Sequence, residues 1–279
     1  MRIIDTSLIT ETVKRITIDA NYDIGESFLE KLRKAIKLEK SDIGKTVLEQ
    51  IVENDEIARD DKEPMCQDTG MVVCFVKVGY NVHIKGDLYE SVNEGIRQAY
   101  NEGFLRKSVT KHPITRGNSG DNTPAIIHVE LVPGDQISIT VAPKGGGSEN
   151  MSLVKMLIPA DGVEGIKKLV LDSIFNAGGK PCPPLVVGVG IGGNLEKSAL
   201  IAKEALMREI NDVNPDPILA KLEQELLEEI NKLGVGPMGF GGTTTALGVK
   251  IAAYPCHIAS LPVAINIQCH ASRHKHAVI

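Results

Sequence analysis

The chain has 279 residues, 42% hydrophobic and 24% charged, which is enough to bury a sizeable core and excludes disorder. Its 31 basic and 36 acidic side chains leave a net charge of -5 with no basic run, so no field is present to hold a phosphate backbone and nucleic acid is not an expected partner. No stretch approaches the roughly 20 apolar residues that span a bilayer, and Met1-Arg2-Ile3-Ile4-Asp5 lacks the apolar core of a signal peptide, so no membrane association and a cytoplasmic location are expected.

Apolar residues at helical spacing predict three amphipathic helices over about residues 6–19, 26–39 and 43–58. The β-branched run that opens at Met71 predicts a buried strand, and residues 87–103 a fourth helix. Two alternating segments, 125–132 and 136–141, flank Pro133-Gly134-Asp135 and predict an antiparallel hairpin. Helices follow at about 161–175, 196–211 and 216–233, with strands at about 185–191, 247–253 and 261–267. The order implies a mixed α/β fold of the α+β kind, with partly antiparallel sheets and no regular βαβ alternation. One domain, 1–279, is expected, with a helical part over about 1–60 and an α/β part over about 61–279.

Five cysteines, an odd number with no secretory signal, argue against a disulfide framework. Cys66, Cys182 and Cys269 each sit at a turn beside polar, Gly or Pro residues and are either structural thiols or metal ligands; no CxxC pair exists, so any metal site must join distant segments. Cys74 lies in an apolar strand and reads as a small hydrophobe. Lys144-Gly-Gly-Gly-Ser-Glu-Asn150 is suited to a nest of N–H groups at a helix start. Gly188-Val-Gly-Ile-Gly-Gly193 imitates a dinucleotide fingerprint only loosely, and Phe240-Gly-Gly-Thr-Thr-Thr245 reads as a tight turn. Arg106 and Arg116 are candidate carboxylate clamps, and His257 is a candidate acid or base.

Taken together, Cys-Gln-Asp-Thr-Gly at 66–70, the Asn-Thr-Pro that ends at 124, Lys-Gly-Gly-Gly-Ser at 144–148, Cys-Pro-Pro at 182–184 and Cys-x-x-x-Arg at 269–273 occur in the order found in one family. The chain resembles the α subunit or N-terminal domain of class I fumarate hydratase and its relative L-tartrate dehydratase. The resemblance implies sheets that surround a [4Fe–4S] cluster held by Cys66, Cys182 and Cys269, with one iron open to substrate. It implies that Gln67, Arg106 and the N–H groups of Gly146 or Gly147 contact a C4 dicarboxylate, and that Asp68 and His257 handle protons. His257 stands twelve residues before Cys269, as the family's active-site histidine does before its third cysteine.

The chain stops ten residues after Cys269, where the family's single-chain members continue into a second domain. An α subunit that requires a separate β subunit is therefore expected, as an α2β2 assembly or a homodimer of α. The activity implied is reversible hydration of fumarate to (S)-malate; the alternative is L-tartrate dehydration, and a different class would be an iron–sulfur sensor or electron carrier.

Overall fold

The apolar runs predicted as strands all lie inside sheets, and these sort the chain into two units. The structure, a computed structural model, describes residues 1–279. Unit one comprises residues 1–24, 54–146 and 273–279; unit two comprises residues 25–53 and 147–272. The three N-terminal helices are α1 (Thr6–Tyr22), α2 (Glu26–Leu38) and α3 (Asp42–Asp61). They do not form one body: α1 belongs to unit one, α2 to unit two, and α3 contributes to both.

In unit one the β-branched run becomes β2 (Met71–Gly79). It pairs in parallel with β4 (Ile126–Val132) and antiparallel with β5 (Ile137–Lys144), which pairs antiparallel with β10 (Lys275–Val278). A separate parallel pair joins β1 (Arg2–Asp5) and β3 (Val82–Lys85). Strand alternation sends Val72, Cys74, Val76 and Val78 to one face, where they pack with Ile9, Val13 and Ile16 of α1 and Val92, Ile96 and Tyr100 of α4 (Leu88–Glu102). Both helices begin on aspartate caps, with the Asp5 carboxylate accepting the Ser7 N–H and that of Asp87 the Glu90 N–H. They close together at Gly95, where a Cβ would stand 2.6 Å from the Thr10 carbonyl oxygen.

The antiparallel hairpin expected about Pro133-Gly134-Asp135 does not form: β4 and β5 lie on opposite sides of β2. Strand β2 is buried along most of its length and needs a partner at each edge, whereas β4 is largely exposed and suits an edge position. The turn straddles the end of β2, with Gly79 N–H donating to Gln136 O (2.9 Å), Tyr80 N–H to Val132 O (2.8 Å) and Asn81 N–H to Gly134 O (2.9 Å).

In unit two β7 (Leu185–Gly192) lies between β9 (Leu261–Gln268), antiparallel, and β8 (Ala246–Tyr254), parallel, while β6 (Leu153–Leu157) pairs with the far edge of β9. Leu185, Val187 and Val189 share a core with Ile174 of α6 (Gly162–Ala177) and Leu226 and Ile230 of α8 (Pro217–Lys232). The alternate positions Gly188 and Gly190 face α7 (Leu195–Ala205), where a Cβ would stand 2.2 Å from Ala202 O and 2.0 Å from Ser198 O. Close helix–strand packing thus accounts for the glycines that imitate a nucleotide motif. The Gly-Gly-Thr-Thr turn also has a specific task. It wraps the Glu39 carboxylate, which accepts N–H groups from Lys40, Ser41, Thr243 and Thr244. The fold is α+β with mixed sheets, and no helix is long and apolar enough to cross a membrane.

Candidate active site

In unit one, segment 64–70 is held at Met65 and again from Asp68 to Gly70. Met65 N–H donates to Asn21 O (3.0 Å), and Met65 O accepts from Asn54 Nδ2 (2.9 Å). Thr69 Oγ1 donates to Arg106 O (2.9 Å), and Asn122 Nδ2 to Gly70 O (3.1 Å). The Tyr100 hydroxyl lies 2.8 and 2.9 Å from the carbonyl oxygens of Thr69 and Gly70. Gly70, at φ +76°, comes so close to β5 that a Cβ would stand 2.6 Å from the Lys144 backbone. Held in this way, the segment presents a partly exposed Cys66 and an exposed Gln67, with Cys66 Sγ 3.5 Å from Gln67 Oε1.

Asp68 is engaged by backbone: Oδ1 accepts the Gly70 N–H (3.1 Å) and Oδ2 the Gly146 N–H (2.8 Å). The predicted Gly-rich nest therefore exists as the short helical turn α5 (Gly146–Glu149), and its Gly146 donor is already taken by Asp68. Gly147 is exposed. Arg106 is also exposed, and its loop is tied to the cysteine segment by Asn122, whose Oδ1 accepts the N–H groups of Ser108 (2.6 Å) and Val109 (3.1 Å). Arg116, the other candidate clamp, is exposed at φ +64° in the same connection between α4 and β4, beyond the Thr110–Asn118 bridge.

Two ionisable residues to which the sequence assigns no role lie beneath this segment. Asp55 is 1% exposed and Arg273 2%. Burial pushes the Asp55 carboxyl up to about 7, against the opposing pull of Asn54 and Arg273. Arg273 closes the Cys-x-x-x-Arg motif, but its burial depends on contacts from residue 21 to residue 145, which no local pattern reveals.

In unit two, Cys182 is partly exposed at φ +56°, with its N–H donating to Gly179 O (3.1 Å). Its carbonyl accepts the His270 N–H (3.2 Å), so the Cys182 and Cys269 loops adjoin. Cys269 is also partly exposed, whereas Cys74 in unit one is fully buried and its thiol is pushed by burial up to about 12. None of the five cysteines forms a disulfide. His257 is exposed, and its Nδ1 accepts the Ala259 N–H (3.1 Å). Thus Asp68 and His257 are each oriented by backbone N–H groups of their own unit.

An α+β chain with these cysteine-bearing turns belongs to the family described as fumarate hydratase (Fumerase), a hydro-lyase family whose profile it matches over residues 10–278. Among individual proteins, it is 46% identical to the "Putative L(+)-tartrate dehydratase subunit alpha" of Methanocaldococcus jannaschii over 272 residues, 95% of each chain. It is 32% identical to the L(+)-tartrate dehydratase subunit alpha of Escherichia coli (strain UTI89 / UPEC) and 31% identical to that of strain K12, in each case over 268 residues, covering 95% of this chain and 88% of the relative.

Proposed function

We propose that this chain is the α subunit of a [4Fe–4S]-dependent hydro-lyase that removes water from L(+)-tartrate. The observation that carries the substrate is the 46% identity over 95% of both chains to a relative with the tartrate name. The family description supports the fumarate–(S)-malate reaction as the second reading. The relatives' designation as subunit alpha supports a β subunit as partner.

The donor set suits a cluster. Cys66, Cys182 and Cys269 are partly exposed thiols on turns, while Cys74 is withdrawn into the core. No three His, Cys, Asp or Glu side chains converge as on a single metal ion; thiolates around a four-iron cluster stand farther apart than ligands of one ion. Bound by these three thiolates, the group would supply a Lewis acid for a substrate carboxylate and the departing hydroxyl.

Dehydration breaks one C–H and one C–O bond; the base that takes the C–H proton would come from the β subunit, and this chain's residues orient the substrate and assist the departing hydroxyl. The exposed Arg106 guanidinium suits a substrate carboxylate as a planar fork. Gln67 and the Gly147 N–H offer neutral hydrogen bonds. With Nδ1 accepting from Ala259, the neutral His257 ring carries its proton on Nε2, the atom that would donate a hydrogen bond to the departing hydroxyl. Asp68, fixed by two N–H donors, holds the cysteine segment against the Gly-rich turn and completes the proposed proton-handling pair.

Anaerobic co-purification of this chain with its β subunit, followed by assay on L(+)-tartrate, D-tartrate, malate and fumarate, tests the reading. L(+)-tartrate should be preferred over malate by at least about tenfold in kcat/KM; the reverse order would establish the second reading.

A further inference from the structure

Arg273 is almost fully buried beside the Asp68 segment and forms no ion pair within 4.0 Å. Its Nη1 donates to Asn21 Oδ1 (3.3 Å), and its Nε has no hydrogen-bond partner. Asp55, equally buried, likewise leaves Oδ2 without a partner. A guanidinium cannot shed its proton inside a protein, so its charge must be answered by nearby groups even where no direct bond forms.

The surroundings indicate where that charge acts. A Cβ built on Gly145 would stand 3.1 Å from Asp68 Oδ2 and 3.5 Å from Arg273 Nη2, which places the carboxylate and the guanidinium against the same bare backbone position. Both residues also act on the buried Tyr100 hydroxyl, which sits at the carbonyls of Thr69 and Gly70. Asn21, which takes the Arg273 bond through its side chain, receives the Met65 N–H on its own carbonyl. Arg273 therefore has one route to Asp68 across Gly145 and a second to residue 65, next to Cys66. It arrives there because β10, two residues later, pairs with β5, and β5 leads directly into Gly145.

We propose that Arg273 is a positioning residue of the candidate active site, its guanidinium holding the Asp68 carboxylate on the Gly146 N–H across the bare Cα of Gly145, with Asn21 and Asp55 holding the guanidinium from beneath. The inference rests on the reading of Asp68 as part of the reacting site. It assigns Asp55 to the support of Arg273, and it explains why position 145 carries no side chain.

The test has two independent readouts on Arg273→Lys, Arg273→Met and Asp55→Asn. The first is amide hydrogen exchange by NMR on the full chain without cluster. In Arg273→Met the Gly146 amide should exchange at least about tenfold faster while the β2 amides keep their protection, and Arg273→Lys should recover part of the difference. The second is kinetics of the assembled αβ enzyme on L(+)-tartrate, in which kcat should fall by about ten- to a hundredfold with KM within about threefold and iron content unchanged. Unchanged Gly146 exchange in both Arg273 variants overturns the proposal. So does loss of protection spread evenly over β2 and Gly146 in Arg273→Lys, because that pattern marks a residue that only stabilises the fold. If tartrate is not turned over but Gly146 responds as described, the substrate reading fails and the positioning role stands.

Discussion

Glu39 in unit two and Asp55 in unit one are buried to the same degree, 2% and 1% exposed, yet their acidities move in opposite directions. For Glu39 burial works to raise the pKa, but the N–H donors of Ser41, Thr243 and Thr244 together outweigh it and hold the group at about 2. For Asp55 burial also raises the pKa, and only the Asn54 amide, at 3.5 Å, and the charge of Arg273 oppose it, which leaves the group at about 7. Donor count therefore decides what a buried carboxylate is used for. Glu39, ringed by donors, is an ionised clamp between the end of α2 and the Gly-Gly-Thr-Thr turn. Asp55, poorly supplied, is a strained group kept beneath a candidate active site.

The sharpest way to break this comparison is Glu39→Ala, which strands the N–H groups of Lys40, Ser41, Thr243 and Thr244. It should cost about 3–5 kcal/mol in urea unfolding; a cost below about 1 kcal/mol would remove the distinction between the two sites. Next comes the pH dependence. Because the folded Glu39 pKa is depressed, its contribution is complete above the unfolded value of about 4.5, is lost as pH falls through about 2, and amounts to on the order of 3 kcal/mol. The stability difference between wild type and Glu39→Gln should shrink over that window.

Asp55 has the opposite sign. The folded state holds its proton between about 4 and about 7 while the unfolded state has released it, so this group makes stability decline as pH rises across that range. Asp55→Asn should flatten the decline and, after loss of the attraction to Arg273, leave the variant more stable by about 1–2 kcal/mol near pH 8. A variant less stable at every pH would show that Asp55 is a net stabilising anchor, as Glu39 is. The smallest stability effect is expected at the cysteines: Cys74→Ala should cost about 1 kcal/mol and keep full iron content, whereas Cys182→Ser should barely alter stability and lose the iron. Iron and sulfide analysis of anaerobically purified variants separates the two.

Periodicity and turn chemistry, both local properties, determined most of the elements. The predicted helices at 26–39 and 216–233 fall on α2 and α8, and the strand predicted from Met71 falls on β2. The short strands β1, β3, β6 and β10 are invisible to that reasoning, since four or five residues acquire strand geometry only from the partner they pair with. The order of motifs likewise determined the family, which the profile match and the relatives bear out. Tertiary structure alone decided that β4 and β5 flank β2 instead of pairing, because alternation marks a strand's faces and says nothing of its edges. It alone decided that the glycines at 188 and 190 admit α7, that Glu39 meets Thr243, and that Arg273 lies against Gly145. Burial, charge compensation and acidity belong to groups brought together from distant parts of the chain, so these properties come into being only when the chain has folded.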